Sequence, residues 1–267
     1  MRIGIDSQFL NLPCPGPALT IAHLISGERI MLKAFLNKWL FRPSASSERP
    51  KDSCQLNDLN PPKDFFSQVL KENLWGGVSS RSGRGSEGTF AERKIALIKE
   101  IATDYKVTTL LDLGCGDFFW MKEAVRSIDH YHGIDIVEEL IDVNSKQFGG
   151  DRVSFQCLDL INPDQQKLLT VRKADLVLCL DVIGHLLNDE VDSLLRFILY
   201  DLDVRLFLVT NRREPGSTDY LRRDKTRSEG IDIEKHPLFV QRRPRRVKQH
   251  PSLYSNDLFD LYDLASS

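Results

Sequence analysis

The stretch Leu111-Asp112-Leu113-Gly114-Cys115-Gly116-Asp117 decides how the chain is to be read. The apolar run at 109–113 has the length and composition of a buried strand. The two glycines after it let a backbone turn tightly and approach a ligand with no side chain in the way. Gly-x-Gly alone is a weak signal. Here it follows a strand, opens a helical stretch at 120–126, and stands 19 residues before Asp135, at the end of a second apolar run. That is the spacing at which a carboxylate takes both hydroxyls of a nucleotide ribose.

Working outward, apolar runs at 109–113, 131–136, 153–158, 174–181 and 204–210 alternate with helical stretches at 120–126, 137–148, 163–171 and 189–200. Asn162 before Pro163 and Asn188 before Asp189 are good helix starts. Residues 258–264 read as the final strand of the sheet. Continuous apolar strands with helices between them predict an open α/β fold whose mostly parallel sheet is covered on both faces. Upstream, 64–73 is helical and 76–88 is a loop of Gly, Ser and Arg. Thr89 and Glu92 then form a capping-box pattern before Ile95, Ile98, Ile101, Ala102 and Tyr105 at helical spacing.

The ligand can be narrowed further. A dinucleotide fingerprint needs a third glycine, but that position is Phe119, and Asp117 would repel a pyrophosphate at the helix start. Asp112 adds more negative charge. A ligand with a ribose, no phosphates and a cationic group fits, and S-adenosylmethionine meets each demand. The runs Asp112-Leu-Gly-Cys-Gly-Asp117, Gly133-Ile-Asp135, Cys157-Leu-Asp159-Leu and Asp175-Leu-Val-Leu-Cys-Leu-Asp181 resemble motifs I to IV of class I S-adenosylmethionine-dependent methyltransferases. Asn73-Leu-Trp75-Gly76 with Arg81-Ser-Gly-Arg-Gly-Ser86 is similar to a bacterial subgroup in which such segments precede the first motif.

The resemblance implies a Rossmann-like, seven-stranded fold and S-adenosyl-L-methionine as cofactor. It implies that Gly114, Cys115 and Gly116 line the methionine portion, with Asp112 near its ammonium and Arg81 beside its carboxylate. Asp135 and Ile136 would hold the ribose, and Asp159 and Leu160 the adenine. Asp181 and His185, just past the fourth strand, are the candidates for acceptor chemistry, with a base needed only if the acceptor must lose a proton. No Asn-Pro-Pro-Tyr type sequence, which many amino-methylating enzymes use, is present. The expected acceptor is a hydroxyl of a small molecule or glycan. The alternatives are nucleic acid, such as RNA, and a module that binds the cofactor without catalysis.

Composition sets the outer bounds. The chain has 267 residues, 41% hydrophobic, with 36 Lys and Arg against 38 Asp and Glu. That net charge of -2 is uneven, because residues 205–250 hold 13 Lys and Arg against 6 Asp and Glu, a local +7. This segment suggests a positive acceptor face or a solvated loop. Five separated cysteines without a C-x-x-C argue against a disulfide framework or a cysteine zinc site, and no metal is expected. His130 and His132 share a strand face but lack a third ligand. Residues 64–267 read as the methyltransferase domain and 1–63 as an extension and linker, with a short strand at 1–6, a helix at 25–41 and Met31 as an alternative start. With no membrane-spanning stretch and no signal peptide, the expectation is a cytoplasmic protein; no oligomeric state is read from the sequence.

Overall fold

The computed structural model of the chain describes residues 61–212, 231–252 and 257–265. Seven strands form one sheet: β1 (Thr109–Leu113), β2 (His130–Asp135), β3 (Val153–Cys157), β4 (Lys173–Cys179), β5 (Asp203–Arg212), β6 (Arg245–Pro251) and β7 (Asp257–Asp263). Their order is β3-β2-β1-β4-β5-β7-β6. The first five are mutually parallel; β7 runs antiparallel to β5, and β6 antiparallel to β7. The helices are α1 (Pro62–Glu72), α2 (Gly88–Asp104), α3 (Met121–Ala124), α4 (Glu138–Phe148), α5 (Pro163–Gln166), α6 (Asn188–Arg196) and α7 (Pro237–Arg242).

The central strands β1 and β4 are mostly apolar because both faces of the sheet are covered. On one face Leu111, Val177, Phe207 and Val209 pack with Leu194, Leu195 and Ile198. On the other, Leu110, Leu176, Leu178 and Leu208 pack with Ile98, Ile101 and Met121. The chain winds from β1 to β3 in one direction, then returns to lay β4 and β5 on the other side of β1. That reversal opens a crevice beyond the carboxyl ends of β1 and β4, where ligands bind in such sheets. Among the described residues, no helix is long and apolar enough to cross a membrane.

Several local expectations need correction. The capping box at Thr89 and Glu92 does not form: α2 starts at Gly88, its N-cap is Glu87, and no side chain caps it. Glu87 instead accepts from the Ser80 amide at 2.5 Å, closing the preceding loop. Asn162 does cap α5, accepting from the amides of Asp164 and Gln165. Asn188 is the first residue of α6 rather than its cap, and α6 runs into a π-helical turn at Phe197–Asp201. The stretch at 163–171 is helical only to Gln166, and β4 ends at Cys179 rather than at Asp181. Helix α1 begins at Pro62, with proline in the first turn where a missing N–H costs nothing. The strand at 1–6, the helix at 25–41, Met31 and the linker up to residue 60 lie outside the described residues.

The positive segment contains a strand that the pattern concealed. β6 carries Arg245, Arg246 and Lys248 with only Val247 apolar among 245–250, so no alternation marks it. Its cations are paired: Arg245 with Asp263 at 3.0 Å, Arg246 with Glu234 at 3.0 Å, and Lys248 with Glu100 and Asp104 at 2.5 and 3.1 Å. Charge on a sheet edge also discourages pairing with another chain. Register places Arg245 opposite Asp263, and Asp263 opposite Leu206 near the start of β5. Arg245 and Arg246 therefore lie toward the amino end of β5, while Lys248 stands level with Leu208 at mid-strand and reaches the carboxyl end of α2; none of the three lines the crevice. Arg213, Arg222, Arg223, Lys225 and Arg227 lie outside the described residues.

Candidate active site

The crevice is a cleft enclosing about 1230 Å³, solvent at its mouth included. Asp112, Gly114, Cys115, Gly116, Asp135, Ile136, Asp159, Leu160, Asp181, His185 and Arg81 all line it. Every site residue expected from the sequence is thus brought to one cavity, by the ends of four strands and the loop before α2.

The inner end is built by the glycine turn. Gly114 and Gly116 adopt φ of +80° and +57°, conformations an L side chain resists. A Cβ at Gly114 would stand 2.5 Å from Val182 Cγ2, and one at Gly116 would stand 2.2 Å from Ser82 Oγ. Asp135 braces this turn from β2, accepting from the Gly116 and Val137 amides, each at 3.0 Å. Burial raises its carboxyl above the ordinary value, and the amides of Val137, Gly116 and Ile136 oppose that rise.

Asp112 lies deeper, buried on β1, with the Tyr131 hydroxyl donating to it at 2.8 Å. Desolvation pushes its carboxyl up to about 7, against the pull of that hydroxyl and of Lys94, while Asp135 adds to the rise. Asp159 folds back on its own turn, where its carboxylate accepts from the Ile161 amide at 3.1 Å and its amide donates to Gln165. Cys115 is buried, and desolvation raises its thiol well above normal, consistent with a small packing residue rather than a nucleophile.

Asp117 does something the sequence did not suggest. Read as a residue that would repel a phosphate, it faces the Gly/Ser/Arg loop instead. It accepts from the Arg81 amide at 2.7 Å and from the Ser80 and Ser82 hydroxyls, each at 3.1 Å. The Ser82 hydroxyl in turn accepts from the Asp117 amide at 3.0 Å. This latch holds the loop against the glycine turn, which is how Arg81 and Ser82 come to line the cleft.

At the mouth, rings and charges meet. His185 stacks on Trp75 with centroids 4.9 Å apart, and Phe66 of α1 stands edge-on to both. Burial lowers the His185 imidazole below its usual pKa, against the attraction of Asp181, so the ring is neutral at pH 7. Asp181, left-handed at φ +59°, is half-exposed. Its Oδ2 accepts from Lys94 Nζ at 2.5 Å, and its Oδ1 from the Thr210 hydroxyl at 3.0 Å. Desolvation would raise this carboxyl, but Lys94 and Thr210 outweigh it and hold it below the ordinary range.

Lys94 was missed. Its side chain is only 6% exposed, lines the cleft, and lies 5.5 Å from the Trp120 ring centroid. A signal existed: Ala91, Lys94, Ile98 and Ile101 share one helical stripe, and all four are buried. A charge inside an apolar stripe is an anomaly to follow. His132, by contrast, contacts Ser154 and Gln156, and no group of three potential metal ligands occurs among the described residues.

Comparison with known proteins agrees with this geometry. Residues 111–200 match the family model described as a methyltransferase domain. No curated protein matches the sequence. The fold is similar to the N-methyltransferase NodS from Bradyrhizobium japonicum WM9 in complex with S-adenosyl-L-homocysteine (13% identity over 74% of this chain and 97% of that chain, TM-score 0.55). It is also similar to magnesium protoporphyrin IX methyltransferase from Synechocystis PCC 6803 with bound S-adenosyl-L-homocysteine (15% identity, 75% and 97%, TM-score 0.50). Human N-acetylserotonin methyltransferase in complex with S-adenosylmethionine is similar at 14% identity, 76% and 60% coverage, and TM-score 0.50. At such identities the likeness is one of fold.

Proposed function

Because the chain carries a class I S-adenosylmethionine-dependent methyltransferase domain, we propose that this cleft methylates a hydroxyl of a small molecule or glycan, with Asp181 and His185 facing the acceptor. One observation carries this reading. A single cleft joins a glycine turn and a ribose-spaced acid at its inner end to a carboxylate, an imidazole and aromatic rings at its mouth.

The donor set fits the cofactor. The Asp112 carboxylate suits its ammonium and the Arg81 guanidinium its carboxylate. Gly114, Cys115 and Gly116 leave room for the methionine chain. Asp135 suits the ribose hydroxyls beside Ile136, and Asp159 with the Leu160 amide suits the adenine, flanked by apolar Val137, Leu140 and Leu158. When bound, S-adenosylmethionine supplies a methyl group already activated on cationic sulfur. The protein therefore mainly aligns the acceptor, and such alignment is worth roughly 7–11 kcal/mol. Asp181, ionised, accepts a hydrogen bond and orients the acceptor. Neutral His185 takes the hydroxyl proton as the oxygen gains its methyl, then releases it to solvent at the mouth.

A nucleic-acid acceptor would want a broad positive face beside the mouth. The described β6 cations are paired with carboxylates and do not line the cleft, which favours the smaller acceptor. We also take residues 64–267 as the catalytic domain, 1–63 as an extension, and the cytoplasm as the compartment, where free thiols such as Cys157 persist.

The test is calorimetric titration with S-adenosylmethionine and S-adenosylhomocysteine, followed by transfer of labelled methyl into a small-molecule and glycan extract of the cells that make the protein. Binding of both and label in a hydroxyl are expected; binding of neither would overturn the reading. The pH dependence adds a sharper check. Only ionised Asp112 attracts the ammonium, and its carboxyl titrates at about 7. Lowering the pH from 8 to 6 protonates it, so affinity should fall about tenfold. A flat profile would remove Asp112 from the ammonium site.

A further inference from the structure

Lys94 touches the cofactor site through its charge, which pulls on Asp112, and among the described residues it is the buried lysine of the cleft. A lysine is almost never fully buried unless paired. Here the side chain, carried by α2, is buried with its ammonium 5.5 Å from the Trp120 ring centroid, and that ammonium reaches Asp181, which is far more exposed. The geometry is that of a support behind a working group: a buried charge holding a half-exposed one. Thr210 of β5 completes the hold, accepting from the Asp181 amide at 2.9 Å while its hydroxyl donates to Oδ1. Asp181 is left-handed at φ +59°, uncommon for a non-glycine residue although aspartate adopts it more readily than most.

We infer that Lys94 is a positioning residue of the acceptor site, holding Asp181 at the mouth of the cleft as a fixed anion that accepts a hydrogen bond from the acceptor and so orients its hydroxyl toward His185. The inference rests on the proposed function and goes beyond it by naming what makes Asp181 competent. Among the described residues, each Asp181 oxygen has one protein donor and keeps further acceptor capacity, and the side chain is half-exposed. Among the described residues, the groups acting on this carboxylate are Lys94 from α2, Thr210 from β5 and His185 from its own loop, and Cys179 at the end of β4 feels its charge. Lys94 is the permanent cation among them. Without it the carboxylate loses its fixed direction, and its proton affinity rises.

The test uses the full chain labelled with [4-13C]aspartate, with the Asp181 resonance assigned through Asp181→Asn. In the wild type this carboxyl should titrate below the usual value of about 3.9; in Lys94→Met its proton affinity should rise at least about tenfold. Labelled-methyl transfer into the same extract, at saturating S-adenosylmethionine, should slow about 30-fold. Lys94→Arg should recover part of the rate. A merely structural lysine would lower the amount of folded protein without moving the Asp181 titration. An unchanged Asp181 titration, or transfer within threefold of wild type, overturns the inference. Lys94→Gln keeps a hydrogen bond and removes the charge, so it reads the same quantities if the methionine variant does not fold. If the wild type binds no cofactor, the proposed function fails, while the carboxyl titration still decides whether Lys94 governs Asp181.

Discussion

Replacing Asp135 with alanine should weaken S-adenosylmethionine binding at least about 100-fold, the largest loss expected of any single polar residue in the cleft. Two hydrogen bonds from ribose hydroxyls to a carboxylate are at stake, each worth about 1.5–3 kcal/mol. A loss of about 3 kcal/mol is already more than a factor of 100. The same side chain accepts from the Gly116 and Val137 amides, so alanine also removes a brace of the glycine turn. Calorimetric titration reads the affinity, and thermal unfolding shows whether the fold survives. Asp135→Asn separates the two roles, since its amide oxygen can still accept one backbone N–H while the charge is gone. Alanine binding within threefold of wild type would remove Asp135 from the cofactor site.

The second large effect is expected of Gly116→Val. The native φ of +57° costs an L residue about 1–2 kcal/mol, and more when the side chain is β-branched. The added Cβ would also fall 2.2 Å from Ser82 Oγ, the atom that joins the Asp117 latch from both sides. The Ser82 hydroxyl must then swing out of the latch, which loosens the hold on the loop that carries Arg81 and Ser82. A stability loss of about 2–4 kcal/mol and at least 30-fold weaker cofactor binding should follow. Gly88→Ala is the control for strain alone, because its φ is +52° but nothing lies within 4 Å of the new Cβ. If both variants bind the cofactor equally well, the latch contributes nothing to the site.

How much of this was legible depends on how local each cause is. The central strands announced themselves because burial on both faces demands apolar runs, and β1 and β4 carry them around a single Asp each. Asn162 was readable as a cap because its partners are two and three residues away. Thr89 misled for the opposite reason: the loop before α2 closes through Glu87, whose partners lie seven and eight residues back. β6 was invisible because an edge strand needs no apolar alternation, and its arginines find acids on β7 and in the turn before α7.

The sequence by itself determined the sheet, the glycine turn and the acids at its strand ends, because periodicity and spacing are properties of neighbouring residues. Tertiary structure alone decided the partners. It turned Asp117 from a phosphate-repelling charge into the latch of a loop 35 residues away, and the positive segment's described strand into an ion-paired edge. It also brought Lys94 across 87 residues to Asp181. The physical reason is common to all three. A charge takes its meaning from what stands within a few ångströms of it, and the fold sets that distance.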